Sequence, residues 1–414
     1  MSGSFFQSRW VSAPANVSEA SDGLLPKGFR AAGGACGVKA DGAMDLGLIV
    51  SDAPATTSAA RFSRSGTQSA PVLYSLREAK LWQLRAVVVN SGNANAATGA
   101  RGLDDAAAMA AAAAAAAGVD RHQVAVASTG VIGVPLPVER ILDGLPRLGG
   151  ELRPTGGDDF AQAIRTTDAF PKQVTLDVAL SAGSVRLSVQ AKGAGMISPK
   201  FATLLVFVQT DAVIEPEEAD LLLSVCTKRS FERISVDGQL STSDTIVLLA
   251  SGASGVRIEP KTADERAFGE ALDAAMRQIA LLVVKDGEGA RRVGRVVVKG
   301  GDQHVADRLA HAIGDSPLVK TALYGGDPNW GRIIQVVGAV LPGMAPLHVD
   351  ISIEGIVVCV NGAYVAHDQR ALAEAVSGDE VEYEVVLPGE GAEAERYFSD
   401  LGHEYVTINA EYTT

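Results

Sequence analysis

With 414 residues, 47% hydrophobic and 21% charged, the chain can bury two or three cores or one large two-lobed α/β unit. A net charge of −13 without any Lys/Arg-rich block argues against nonspecific nucleic-acid binding, and no apolar run reaches the length of a membrane span. Three scattered cysteines (Cys36, Cys226, Cys359) and six histidines lacking any tight ligand pair exclude a disulfide framework and disfavour a metal site, so the expected setting is a reducing cytoplasm.

In chain order, the first Val-rich run, 85–90, predicts a buried strand. The alanine-dominated stretch 104–117 predicts a helix whose start is favoured by Asp104 and Asp105. A strand at 123–128 leads into the glycine-containing turn Ser128–Gly133, and the Gly/Pro-rich stretch 148–157 reads as a surface linker. Strands follow at 185–190 and 204–210, a helix at 215–225, a strand at 245–250 and a long helix at 261–284. The remainder alternates a strand at 293–298, a helix at 302–313, strands at 348–353 and 356–361, and a helix at 368–376. The end of the chain, 405–414, reads as polar residues following an apparent strand. Interleaved strands and helices place the fold in the α/β class, or α+β with layered sheets.

One segment carries chemistry that the rest does not. Between Lys192 and Phe207, a glycine-rich turn is joined to an apolar strand through the peptide bond Ala202–Thr203. If that bond is cut, Thr203 becomes an N-terminal residue whose own α-amine, with an ordinary pKa of roughly 7.7–8, can act as base for its hydroxyl. A tetrahedral intermediate formed there needs backbone N–H donors, and the turn at Ser128–Gly133 is of the type that supplies them. An amino-acid substrate needs both charge signs together with hydroxyl and amide groups. Four segments offer them: Lys192 among glycines, Arg165–Lys172 with Thr166 and Thr167, Lys285–Ala290 with Glu288, and the C-terminal Tyr405–Thr414.

The cleavage segment meets every fixed position of K-G-x-G-M-x-x-P-x-x-A-T-[ML]-L, the pattern of the ornithine acetyltransferase family (glutamate N-acetyltransferase of the cyclic arginine pathway), which this chain resembles from Pro26 to Thr414. T-T-D-x-x-P-K, D-G-E-G-A and Y-V-x-I-N-x-x-Y-x-T recur in the same order, as do the blocks Asn90–Gly99 and Gly326–Arg332, most of whose residues read as structural loops. The resemblance implies a two-lobed N-terminal-nucleophile-like fold, self-cleaved into residues 1–202 and 203–414 that assemble as a heterotetramer or larger. It implies that Thr129 and Gly130 form the oxyanion hole, that Ala202 and Thr203 flank the cut, and that Thr166, Lys192, Thr203, Glu288, Asn409 and Thr414 contact substrate. Charge alone suggests Lys192 for a carboxylate and Glu288 for an ammonium.

The implied reaction is ping-pong acetyl transfer from N-acetylornithine to glutamate through O-acetyl-Thr203, with no bound cofactor or metal; acetyl-CoA as a second donor is left open. Other readings are an N-terminal-nucleophile amidase, a copy specialised for another acetylated amino acid, and a homologue that folds without cutting. The chain departs from the family at Ala97, where cysteine is frequent, at Gln239-Leu240, where Asp-Thr is usual, and loosely over 62–85. The last two leave room for altered substrate preference or a changed subunit contact.

Overall fold

A computed structural model describes residues 4–21, 23–198 and 204–411. The first part of the chain forms β1 (Val17–Glu19), β2 (Phe29–Gly34), β3 (Leu46–Ser51), β4 (Thr57–Phe62), α1 (Ala70–Glu78), β5 (Ala86–Asn93) and α2 (Gly99–Ala117). Then come β6 (Val124–Val131), α3 (Val138–Gly150), α4 (Gly157–Ala163), β7 (Lys172–Leu180), β8 (Gly183–Lys192) and β9 (Leu205–Thr210). The middle adds α5 (Pro216–Arg229), β10 (Ile234–Ser235), β11 (Thr245–Ala250) and α6 (Ala263–Lys285). The last part holds β12 (Val293–Lys299), α7 (Gln303–Asp315), α8 (Pro317–Gly325), α9 (Trp330–Val340), β13 (Asp350–Ile353), β14 (Ile356–Val360) and β15 (Ala363–Tyr364). It closes with α10 (Gln369–Ala375), β16 (Glu380–Val386), β17 (Glu393–Ser399) and α11 (His403–Glu411).

Alternation along the strands dictates the layering. In β9, Leu205 and Phe207 face one core while Val206 and Val208 face another, so both sides of this strand are buried, as its unbroken apolar sequence requires. The sheet β1-β7-β8-β9-β11-β4 therefore has α5 and α6 on one face and, on the other, the sheet β2-β3-β5-β6. The far face of that second sheet is covered by α2 and α3, giving an α-β-β-α stack. A second lobe, the sheet β10-β17-β12-β16-β13-β14-β15 with α7 to α10, has its own core. No described helix is long and apolar enough to cross a membrane.

All eight Val-rich runs are strands, and the alanine run is a helix because its small side chains let α3 approach; a Cβ on Gly149 would lie 3.0 Å from the Ala116 Cβ. Three local expectations are corrected. α2 starts at Gly99 rather than near Asp104, since Thr98 and Asn95 tie its first turn through Thr98 Oγ1 to Asn95 Oδ1 (2.7 Å) and Asn95 Nδ2 to Gly102 O (2.9 Å). The stretch 148–157 is no loose linker: Leu148 is buried in α3 and Arg153 exchanges backbone hydrogen bonds with Ala31 at 3.0 and 3.1 Å. Gly156 is there for proximity, since a Cβ would sit 1.9 Å from the Ala31 carbonyl oxygen. The chain end folds as α11, a helix, instead of a polar tail behind a strand.

Candidate active site

The register of the first sheet brings together the two ends of the segment expected to be cut. β8 and β9 are antiparallel, with Lys192 opposite Leu205, and Gly193–Ser198 form the turn that follows Lys192. The turn is held from below by Asp237, whose carboxylate accepts the N–H groups of Met196 (2.6 Å), Ile197 (2.9 Å) and Gln239 (3.1 Å). Met196 adopts φ +53°, left-handed backbone that a non-glycine residue holds only when its surroundings impose it. Burial raises the Asp237 carboxyl above its usual range, against the pull of those three N–H donors. On the far side of the turn, Leu204 N–H donates to Asp244 Oδ1 at 3.2 Å; this fully buried carboxyl is pushed well upward by desolvation.

A cavity of about 280 Å³ opens over this turn, lined by Thr129, Gly130, Thr166, Thr167, Lys192, Gly195, Met196, Asp237, Gln239, Leu240, Glu288, Tyr405 and Asn409. It thus collects Thr129, Gly130, Thr166, Lys192, Glu288 and Asn409 from five separate stretches of sequence. Ala202, Thr203 and Thr414 lie outside the described residues.

Thr129 and Gly130 are not in a turn after the strand but within β6, paired to β5 across a register shift at Gly92 and Asn93. Gly130 has φ +129°, and a Cβ there would meet the Gly92 carbonyl carbon at 2.4 Å, so no other residue fits this bulge. The block Asn90–Gly99 supports it: Ser128 Oγ donates to Asn90 Oδ1 (2.5 Å) and Asn90 Nδ2 to Asn93 O (2.9 Å).

Lys192, at the end of β8, is buried and donates to Thr129 Oγ1 at 3.3 Å. Burial lowers its pKa, and the Asp168 carboxylate pulls it back upward. Glu288 follows the end of α6, its N–H bonded to Ala194 O at 3.0 Å. It packs so tightly on Gly195 that a Cβ there would lie 2.7 Å from its carboxyl carbon. Asn409 Nδ2 reaches across from α11 to Glu288 Oε2 at 2.7 Å. One turn earlier, burial together with Asp237 and Glu288 pushes the Tyr405 phenol up to about 12, keeping it a neutral hydrogen-bonding group.

The sequence pointed to six of these residues and to the segment opening at Tyr405, but passed over Asp237, Asp244 and the Tyr405 side chain itself. Asp237 had a signal in the S-V-D-G turn, whereas the roles of the other two depend on packing alone. Gln239 and Leu240, the residues departing from the family pattern, sit on the cavity wall. Among the described residues no group of three or more His, Cys, Asp or Glu side chains is placed to hold a metal ion.

The ArgJ family profile matches residues 30–414. The chain belongs to the ArgJ family. The arginine biosynthesis bifunctional protein ArgJ of Geobacter sulfurreducens is 40% identical over 94% of this chain and 99% of its own length. That of Thermus thermophilus is 42% identical over 94% and 99%. The crystal structure of an ornithine acetyltransferase complexed with ornithine from Mycobacterium tuberculosis covers 46% of this chain and 98% of its own, with 40% identity and a TM-score of 0.41.

Proposed function

We propose that this ArgJ-family chain is a glutamate N-acetyltransferase of arginine biosynthesis, working in the cytoplasm through Thr203. In the uncut chain the Thr203 hydroxyl attacks the Ala202 carbonyl carbon, the amide nitrogen leaves as the Thr203 amine, and water opens the resulting ester. The freed hydroxyl then attacks the acetyl carbonyl of N2-acetylornithine, its proton passing to the Thr203 amine, while Thr129 and Gly130 hold the oxyanion. Ornithine departs with that proton. Glutamate enters the same cavity and its amine takes the acetyl group from the threonine ester. Lys192 pairs with the substrate α-carboxylate, and Thr166, Glu288, Asn409 and Thr414 complete the pocket. Residues 1–202 and 203–414 act as two interleaved fragments, assembled as a heterotetramer or larger. No cofactor is bound, and acetyl-CoA serves as a second co-substrate donor.

One observation carries this reading. Four residues expected to contact substrate (Thr166, Lys192, Glu288, Asn409) and the two expected to hold the oxyanion (Thr129, Gly130) line one cavity beside the β8–β9 turn, with an ammonium and a carboxylate both presented to it. A second reading, transfer from a different acetylated amino acid, draws on Gln239 and Leu240, which put an amide and an alkyl group on that wall. Intact mass spectrometry with each donor tests both. Fragments beginning at Thr203 should gain one acetyl group from N-acetylornithine. Thr203→Ala should leave one uncut, unacetylated chain, and a variant that still cuts and still acetylates would refute the scheme.

A further inference from the structure

Three chain segments that line the cavity are fastened from behind by one buried charge cluster. Lys172 Nζ, at the start of β7, donates to Asp168 Oδ1 at 2.7 Å and to Asp286 Oδ2 at 2.6 Å, and none of the three side chains is more than 5% exposed. Each carboxylate also accepts backbone N–H groups. Asp168 takes those of Gly193 (2.7 Å) and Thr166 (3.1 Å), and Asp286 takes that of Ala169 (3.0 Å). The cavity residues Thr166, Lys192 and Glu288 lie one or two positions from these anchor points in the chain.

The cluster holds two carboxylates against one ammonium. A surplus negative charge at such depth is costly unless another cation balances it. Lys192, itself buried and facing the cavity, is attracted by Asp168 and repelled by Lys172. Asp168 lies well below the ordinary carboxylate range: burial alone would raise it, but the ammonium groups of Lys172 and Lys192 outweigh that. Glu288 and Asp244 also attract Lys192 and Lys39 repels it, while Asp286, raised by burial and held down by Lys172, acts on Lys192 by offsetting the Lys172 ammonium.

We propose that Asp168, Lys172 and Asp286 are positioning residues of the acetyl-transfer site, their surplus carboxylate keeping Lys192 an ammonium for the substrate carboxylate while their backbone bonds fix Thr166 and Glu288 around it. This rests on the transfer reading above. An ordinary structural salt bridge would hold the same segments without setting the charge of Lys192, and pH separates the two roles. Binding that needs the Lys192 ammonium is lost as pH rises through its pKa. Weakening the negative surroundings moves that loss to lower pH, and removing the repelling cation moves it to higher pH.

The experiment measures kcat and KM for N-acetylornithine between pH 6 and pH 10 in wild type, Asp286→Asn and Lys172→Gln. Asp286→Asn touches neither the Gly193 turn nor the cavity. It should shift the alkaline limb of kcat/KM downward and raise KM about five-fold with kcat within about two-fold, the pattern of lost uniform binding. Lys172→Gln should shift the limb upward. Limbs that stay in place, or that move in the same direction, overturn the proposal. If either variant fails to fold, Asp286→Glu decides: the limb should stay where it is in wild type while KM rises, and a moved limb counts against the cluster. Absence of transfer in wild type instead sinks the reading of the site itself.

Discussion

The two walls of the cavity are held by different physics. On the Lys192 wall the polar groups are buried and fixed by charged partners or by backbone bonds, from Thr129 in its bulge to Gly193 on Asp168. On the opposite wall α11 has no fully buried side chain, Tyr405 being half-buried. It is tied down by the Asn409–Glu288 bond and by its first turn, which packs Glu404 against Gly289, where a Cβ would come within 2.6 Å. A buried charge stripped of its partner costs several kcal/mol, whereas a part-exposed hydrogen bond from a neutral amide to a carboxylate is worth about 1.5–3. The first wall therefore demands one geometry, and the second tolerates adjustment.

Substitutions can break or sharpen that contrast. Lys192→Met should have the largest effect, lowering kcat/KM for N-acetylornithine roughly 100-fold, as expected for a buried charge-assisted contact. Gly195→Ala drives a methyl group into the Glu288 carboxyl and should cost about 10- to 30-fold, read in the same assay. Asn409→Ala should raise KM only about five-fold, with an unchanged fragment pattern on a denaturing gel. If Asn409→Ala costs as much as Lys192→Met, the distinction between the walls is wrong.

The smallest effect is on stability and concerns a buried ammonium outside the cavity. Lys320 donates to the Ser399 carbonyl and to Ser399 Oγ, and burial lowers its pKa to about 8. Unfolded lysine titrates near 10.4, so between these values the unfolded chain binds more protons and folding stability rises with pH. From pH 7.5 to 9.5, wild type should gain on the order of 2 kcal/mol relative to Lys320→Met in denaturant midpoints. Parallel curves for the two proteins would show that Lys320 does not titrate in this range.

What could be read from the sequence was what lies close together along it. The Lys192–Leu205 approach was implicit in two apolar strands joined by a glycine-rich turn, and Glu288 stood out between glycines. Lys172 and Asp286 are 114 positions apart and meet only because α6 packs on β7, which no local pattern encodes. α11 was missed because Tyr, Val, Thr and Ile are residues of β character, here overridden by the seat on Gly289 and the tie to Glu288. The glycines of 148–157 and Gly130 looked like flexibility or a turn, and their use is close backbone contact.

The strand order β1-β7-β8-β9-β11-β4 has one further consequence. β9 and β11 follow the Ala202–Thr203 bond, yet they lie between β8 and β4, which both precede it. Severing the bond would thus leave one piece clasped by the other, with residues 1–202 supplying ladder hydrogen bonds on both sides of the β9–β11 pair. A cut made after folding would release an amine without freeing a subunit.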